Sequence, residues 1–260
     1  MQFWSKTLTA WIMGAFLLGS AAELSAQCKT WINSPDQEAA EEAHVLYRQF
    51  LKEKKYDEAF PYWQRAYELA PAADGQRSFH FIDGKTLYMH KFQNETDPAK
   101  KKEYADIILR LYKEYVECYP KEAALALGLQ AYDMFYYLRS PYSELLPVLQ
   151  QAIEKGGMNT SYTVFQPYAS VVVDFFQKGK MTKEEAREVY LKLNEIADYN
   201  IANNKQYSSY YQQSKEGMNV IFSKIEYDIF DCDYFKKKLE PEYRADPDNW
   251  DLIKEIYNRL

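Results

Sequence analysis

The sequence predicts an all-α fold of stacked antiparallel helical hairpins, about ten to eleven helices in succession, and three observations carry that reading. Apolar residues recur with a helical period nearly everywhere after residue 37. No stretch alternates with the two-residue period of a strand, and β-branched residues cluster only in short runs such as Val171-Val172-Val173. The gaps between periodic runs are only a few residues long, which makes successive helices antiparallel neighbours.

The helices are expected over residues 37–53, 56–70, 76–91, 98–118, 122–138, 142–155, 161–178, 182–203, 206–228, 231–241 and 247–260. The breaks between them carry turn chemistry. Pro71-Ala72-Ala73-Asp74-Gly75, Asn94-Glu95-Thr96-Asp97-Pro98, Ser140-Pro141, Gly156-Gly157, Gly179-Lys180 and Asp246-Pro247-Asp248 all supply residues that end a helix or reverse the chain. Thr182, followed three residues later by Glu185, has the capping-box spacing of a helix start.

Residues 40–73 show how two such helices would pack. Ala43, Leu46, Tyr47 and Phe50 fall at i, i+3, i+4 and i+7 on one face of the first. Ala59, Trp63, Ala66 and Ala70 make the facing stripe on the second, and Pro71 ends it. The alanines let the helices approach closely, while Trp63 and Phe50 fill the space beside them. This pattern resembles the tetratricopeptide repeat, a helix-turn-helix of about 34 residues. Tyr56-Asp57-Glu58-Ala59, Trp63, Ala66 and Pro71 stand where that family has its second-helix signature, and Ala43, Leu46, Tyr47 and Phe50 at the first-helix positions. Later repeats are degenerate: Gly84 and Leu87 with Ile108, Tyr112, Tyr115 and Pro120 suggest a second, with an insertion around residues 92–99. Ala186, Tyr190 and Leu193 are spaced as Ala59, Trp63 and Ala66 are. The wider run, with Tyr56 to Trp63, Ala70 to Gly75 and Ile196-Ala197-Asp198-Tyr199-Asn200, resembles exported tetratricopeptide-repeat proteins of Gram-negative cell envelopes. That resemblance implies a scaffold rather than a reaction.

Composition agrees with a folded chain. Of 260 residues 47% are hydrophobic, enough for a core, and 9 glycines and 10 prolines are too few for a turn-rich sandwich. The net charge of -6 works against a nucleic-acid partner, because neutralising phosphates needs clustered Lys and Arg. At the N-terminus Lys6, the apolar run Trp11 to Leu18 and the small residues Ser20-Ala21-Ala22 and Ser25-Ala26 read as a signal peptide over residues 1–26, ahead of a helical-repeat domain over 27–260. An uncleaved anchor is the alternative. No other segment is apolar enough to span a membrane, so the mature chain is expected in the periplasm or outer envelope, or secreted. Cys28 follows Gln27, where a lipobox wants a small residue, which disfavours a lipid anchor. Three cysteines in an exported chain leave an odd one. Cys28 and Cys118 are the candidate disulfide and Cys232 the odd thiol; the alternative is three small buried side chains.

The chemistry of sites is mostly absent. No phosphate loop, nucleophile elbow or zinc motif occurs, so no catalytic residue, metal or cofactor is expected. His44, His80 and His90 lack ligand spacing and read as separate solvated or partly buried side chains. Adjacent carboxylates such as Glu41-Glu42 and Glu184-Glu185 point apart on a helix. Binding is the better expectation. First helices of stacked hairpins line a concave face, which places Glu41, His44, Arg48 and Lys52, then Phe81, Lys85 and Tyr88, toward a protein or peptide partner. Family members that bind chaperone tails use a Lys and Asn clamp, and His44 and Arg48 stand there instead. The run Tyr207-Ser208-Ser209-Tyr210-Tyr211 suits a competing glycan-capturing reading, or tyrosines packed between hairpins. A hydrolase would need two carboxylates facing each other, which nothing announces. Finally Trp250, Ile253, Ile256, Tyr257 and Leu260 share nearly one face of an uncapped last helix. The sequence leaves two readings, a natural protein that continues, with a partner there for Cys232, or a helix folded back on the body.

Overall fold

The computed structural model describes residues 28–259; the expected signal segment lies outside them. Every regular element among the described residues is helical, and the helices pack in adjacent pairs, as the sequence predicts. The chain divides into two compact units, one ending at Ala126 and one beginning at Leu127.

In the first unit α1 (Gln37–Lys52) and α2 (Tyr56–Leu69) form one hairpin, and α3 (Phe79–Asn94) and α4 (Pro98–Cys118) a second. Ala43 and Tyr47 of α1 and Ala59, Trp63 and Ala66 of α2 are buried, so the stripe read from the sequence is the helix contact. Leu46 and Phe50 are half-buried, Phe50 stacking on Tyr62, and Pro71 follows the end of α2. The hairpins interlock through α2 and α3, which run antiparallel: Tyr56 stacks on His90, Phe60 and Trp63 meet Tyr88, and Tyr67 meets Phe81. At the centre Gly84 has no side chain, and the Trp63 indole occupies that space; a Cβ there would overlap its six-membered ring. The indole N–H donates to the His80 carbonyl at 2.8 Å.

Residues 28–36 close this unit on one side. Trp31 is buried with Ala40, Ala70 and Ala73, and its N–H donates to the Ala73 carbonyl. Cys28 is bonded to Cys118 at the end of α4. The helix expected from residue 76 begins at Phe79 instead. Asp74 Oδ1 accepts the N–H groups of Gln76 and Arg77, and Gly75 is left-handed, so the turn claims these residues first.

In the second unit α5 (Ala123–Tyr136), which crosses the boundary, is followed by α6 (Tyr142–Gly156), α7 (Phe165–Gln177), α8 (Lys183–Asn203) and α9 (Ser208–Phe222). The turn into α7 is a short 3-10 segment at Tyr162–Val164, which accounts for the helix starting later than residue 161. Thr182 and Glu185 form the complete capping box of α8. Ala186 and Leu193 are buried and Tyr190 packs on Phe222 and Phe230, the counterparts of the first unit's stripe. The helix expected over 206–228 breaks after Phe222, where Ile225 turns inward and is buried. Short helices follow, α10 (Glu226–Ile229), α11 (Cys232–Tyr234) and α12 (Glu240–Ala245), with a π turn at Phe235–Leu239. Pro241 has no N–H to continue the α pattern, so the preceding turn widens. In α13 (Trp250–Arg259) Trp250 and Tyr257 are largely exposed. No described helix is long and apolar enough to cross a membrane.

Candidate binding surface on α1 and α3

α1 and α3 are first helices of successive hairpins, and they meet side by side in parallel register. Three pairs, 35 or 36 residues apart in sequence, make the seam. His44 Nδ1 lies 2.9 Å from His80 Nε2, the Tyr47 hydroxyl donates to Asp83 at 3.1 Å, and Arg48 donates to the same Asp83 oxygen at 2.7 Å. Phe79 opens α3 and lies under this row. The Arg48 guanidinium sits 4.0 Å above its ring, Arg77 reaches it at 5.5 Å, and the His44 ring lies roughly parallel to it at 6.1 Å. Trp31 closes the edge, with its ring 5.1 Å from His44 and 5.5 Å from His80.

Burial decides the electrostatics. His80 is sealed in, and His44 is half-covered. Removal from water disfavours the imidazolium, and the nearby Arg48 and Arg77 charges act the same way on His44, so its pKa falls to about 4. His80 also falls to about 4, mainly through burial, against the bond its ring makes to the Ala70 carbonyl. Asp83 is pushed up by burial while Arg48 and Tyr47 pull it back down. Tyr47 is pushed far up, first by burial and then by Asp83, so it stays a hydroxyl donor. At neutral pH the seam therefore holds two neutral imidazoles and one ion pair. Arg77 is matched too, by a 2.6 Å pair to Asp74.

The expected groove residues divide. His44 and Arg48 lie on this seam, with the Arg48 side chain 39% exposed, and Lys52 is exposed one turn further on α1. Phe81 does not face outward. It is 1% exposed among Tyr67, Tyr115 and Tyr119, which corrects its placement on the binding face. Tyr88 packs between Phe60, Trp63 and Tyr104, and Lys85 lies half-buried with its ammonium 6.0 Å from the Tyr112 ring. The physical reason is that α3 is covered on several sides, with His80, Phe81, Asp83, Gly84, Leu87 and Met89 all buried, so it shows no clean polar face to read.

His80, Asp83, Phe79 and Trp31 complete the seam from beneath and are not among the groove residues the sequence predicts. The signal that finds them is the repeat spacing: 44 with 80, 47 with 83 and 48 with 83 are separated by 35 or 36 residues. Among the described residues no group of three or more side chains could hold a metal ion. His90 lies apart, stacked on Tyr56 at 4.4 Å. In the second unit Tyr211 is buried and donates to the Thr160 carbonyl, whereas Tyr207 and Tyr210 are exposed, the latter stacked on Tyr162 at 5.2 Å. Comparison of the chain with protein-family models, curated proteins and solved structures returns no match.

Proposed function

We propose that this chain is an exported, non-enzymatic scaffold of the tetratricopeptide type, which holds a protein or peptide on the surface formed by α1 and α3. The observation that carries the reading is the seam itself. Two hairpins stack so that their first helices run parallel about one repeat apart, and the seam offers an open guanidinium, an aromatic plane and an imidazole together. Such a group suits an acidic peptide, since a guanidinium makes charge-assisted bonds to carboxylates. The Cys28–Cys118 bridge supports export, because such bridges persist in oxidising compartments. A sulfur in that bridge is not free for acylation, which favours a chain without a lipid anchor.

The test is a cross-linking pull-down from the native cell envelope with Arg48 and Lys52 both changed to Ala. The double variant should lose its partner and keep the parent's melting curve; an unchanged capture profile would remove this surface from the reading. The exposure of Tyr207 (40%) and Tyr210 (50%) favours one second reading, a glycan platform in the second unit. Recovery of polysaccharide without protein would support it.

A further inference from the structure

The histidine pair fixes more than the seam. His80 Nδ1 lies 2.8 Å from the Ala70 carbonyl oxygen, and a carbonyl only accepts, so this nitrogen carries the proton. In a neutral ring the other nitrogen, Nε2, is then bare and accepts. The atom 2.9 Å from it, His44 Nδ1, must donate, which leaves His44 Nε2 bare in its turn. One backbone carbonyl thus sets the tautomer of both rings. His44 Nε2 has no hydrogen-bond partner among the described residues, and it is not among the buried atoms left unsatisfied, so solvent reaches it. Four residues along the same helix face, Arg48 spends one of its N–H groups on Asp83 and keeps the rest of its fork. Phe79 lies beneath both side chains.

We infer that His44 Nε2 is a locked hydrogen-bond acceptor of this surface, so that the peptide bound there presents a backbone N–H to His44 beside the side-chain carboxylate it presents to Arg48. The inference rests on the proposed reading of this face as the binding surface and adds a selectivity to it. An acid group alone satisfies Arg48 and leaves the His44 lone pair stripped of water with no donor facing it, which costs affinity. An internal Asp or Glu within an extended segment satisfies both. His80 acts as a positioning residue, through the tautomer it imposes.

Two measurements test this on the full chain. Long-range proton–nitrogen NMR spectra at neutral pH should show His44 and His80 each protonated on Nδ1 and bare on Nε2; a proton on His44 Nε2 overturns the inference with no ligand involved. The second is titration of a doubly blocked peptide, acetyl-Ala-Asp-Ala-Asp-Ala-amide, and of versions N-methylated at one peptide nitrogen each. The parent should shift the His44 Nε2 resonance, and one N-methylated version should bind about tenfold more weakly, a loss of about 1.4 kcal/mol. In His44→Phe that penalty should vanish. Equal binding of every version, or a penalty that persists in His44→Phe, refutes the locked acceptor and leaves the binding surface standing. Absence of any binding by the parent peptide counts against the surface itself.

Discussion

The two units use one packing device with different materials. In the first, Gly84 of α3 makes room for the Trp63 indole, a rigid ring pinned by its N–H to the His80 carbonyl. In the second, Gly217 of α9 makes room for the Gln166 side chain of α7, whose amide end is flexible. The same glycine gap therefore holds a fixed wedge in one unit and a movable one in the other. The seams differ likewise. The first is polar and holds an ion pair and two imidazoles, while α9 meets α7 and the turn before it through aromatic rings, with Tyr211 against Phe165 and Tyr162. Paired helices can thus keep their geometry and change the chemistry of their seam, and the polar seam is the one that holds an ion pair.

Substitutions that ignore this difference should act alike in both units. Ala59 and Ala186 are each fully buried at matching positions. Changing either to Glu places a charge in a close helix contact and should cost several kcal/mol, on the order of 3–5. A parent-like melting temperature for either variant would break the equivalence of the two stripes. Reduction of the Cys28–Cys118 bridge touches only the first unit. It should lower stability by about 2–5 kcal/mol there and leave hydrogen exchange in α8 and α9 unchanged.

The glycines sharpen the contrast. Gly84→Ala drives a methyl group into the indole and should destabilise by about 1–3 kcal/mol in a urea melt. Gly217→Ala meets only the end of Gln166, and the gain in helix propensity of up to about 1 kcal/mol offsets the displacement, so the change should fall within ~0.5 kcal/mol of zero. Equal losses at both positions would contradict the wedge distinction.

All three histidines of the chain lie in the first unit, so the pH response should separate the units as well. The folded His44 and His80 titrate near 4, below the unfolded value of about 6.5, so the unfolded chain takes up those protons first. Their contribution is complete above about pH 6.5, is lost as pH falls toward 4, and changes no further below that. Arg48, Arg77, Asp74 and Asp83 face the pair, and only the two aspartates begin to titrate at the acid end. Exchange protection in α1 and α3 should fall across this window more steeply than in α8 and α9, and His80→Gln should flatten the slope. A local effect belongs to the cap of α8: Thr182→Ala removes the bond to the Glu185 N–H and should cost about 1 kcal/mol, read from fraying at residues 183–186.

The fold was legible because its helix contacts are written as small residues at helical spacing, and Ala43, Ala59, Ala66 and Ala186 sit where that spacing places them. The break after Phe222 was not, since Ser223-Lys224-Ile225 contains neither Gly nor Pro and turns only because Ile225 finds a buried niche. Half of the polar seam could be read in α1, whose outward row of His44, Arg48 and Lys52 is amphipathic. Its other half in α3 could not, because that helix is packed on several sides, so that Phe81, though spaced like a surface partner, is interior, and Tyr88 is half-buried among aromatic rings. His80 and Asp83 are polar residues bound to partners a repeat away, and one helix taken alone gives no sign of them.

The most direct test places a photo-cross-linking residue at position 52 on α1 or at position 210 in the exposed tyrosine pair, in the full chain in its native envelope. Protein adducts should form from position 52 and disappear when Arg48 is also changed to Ala. Adducts formed only from position 210, or adducts at 52 indifferent to Arg48, would contradict the reading of α1 and α3 as the binding surface.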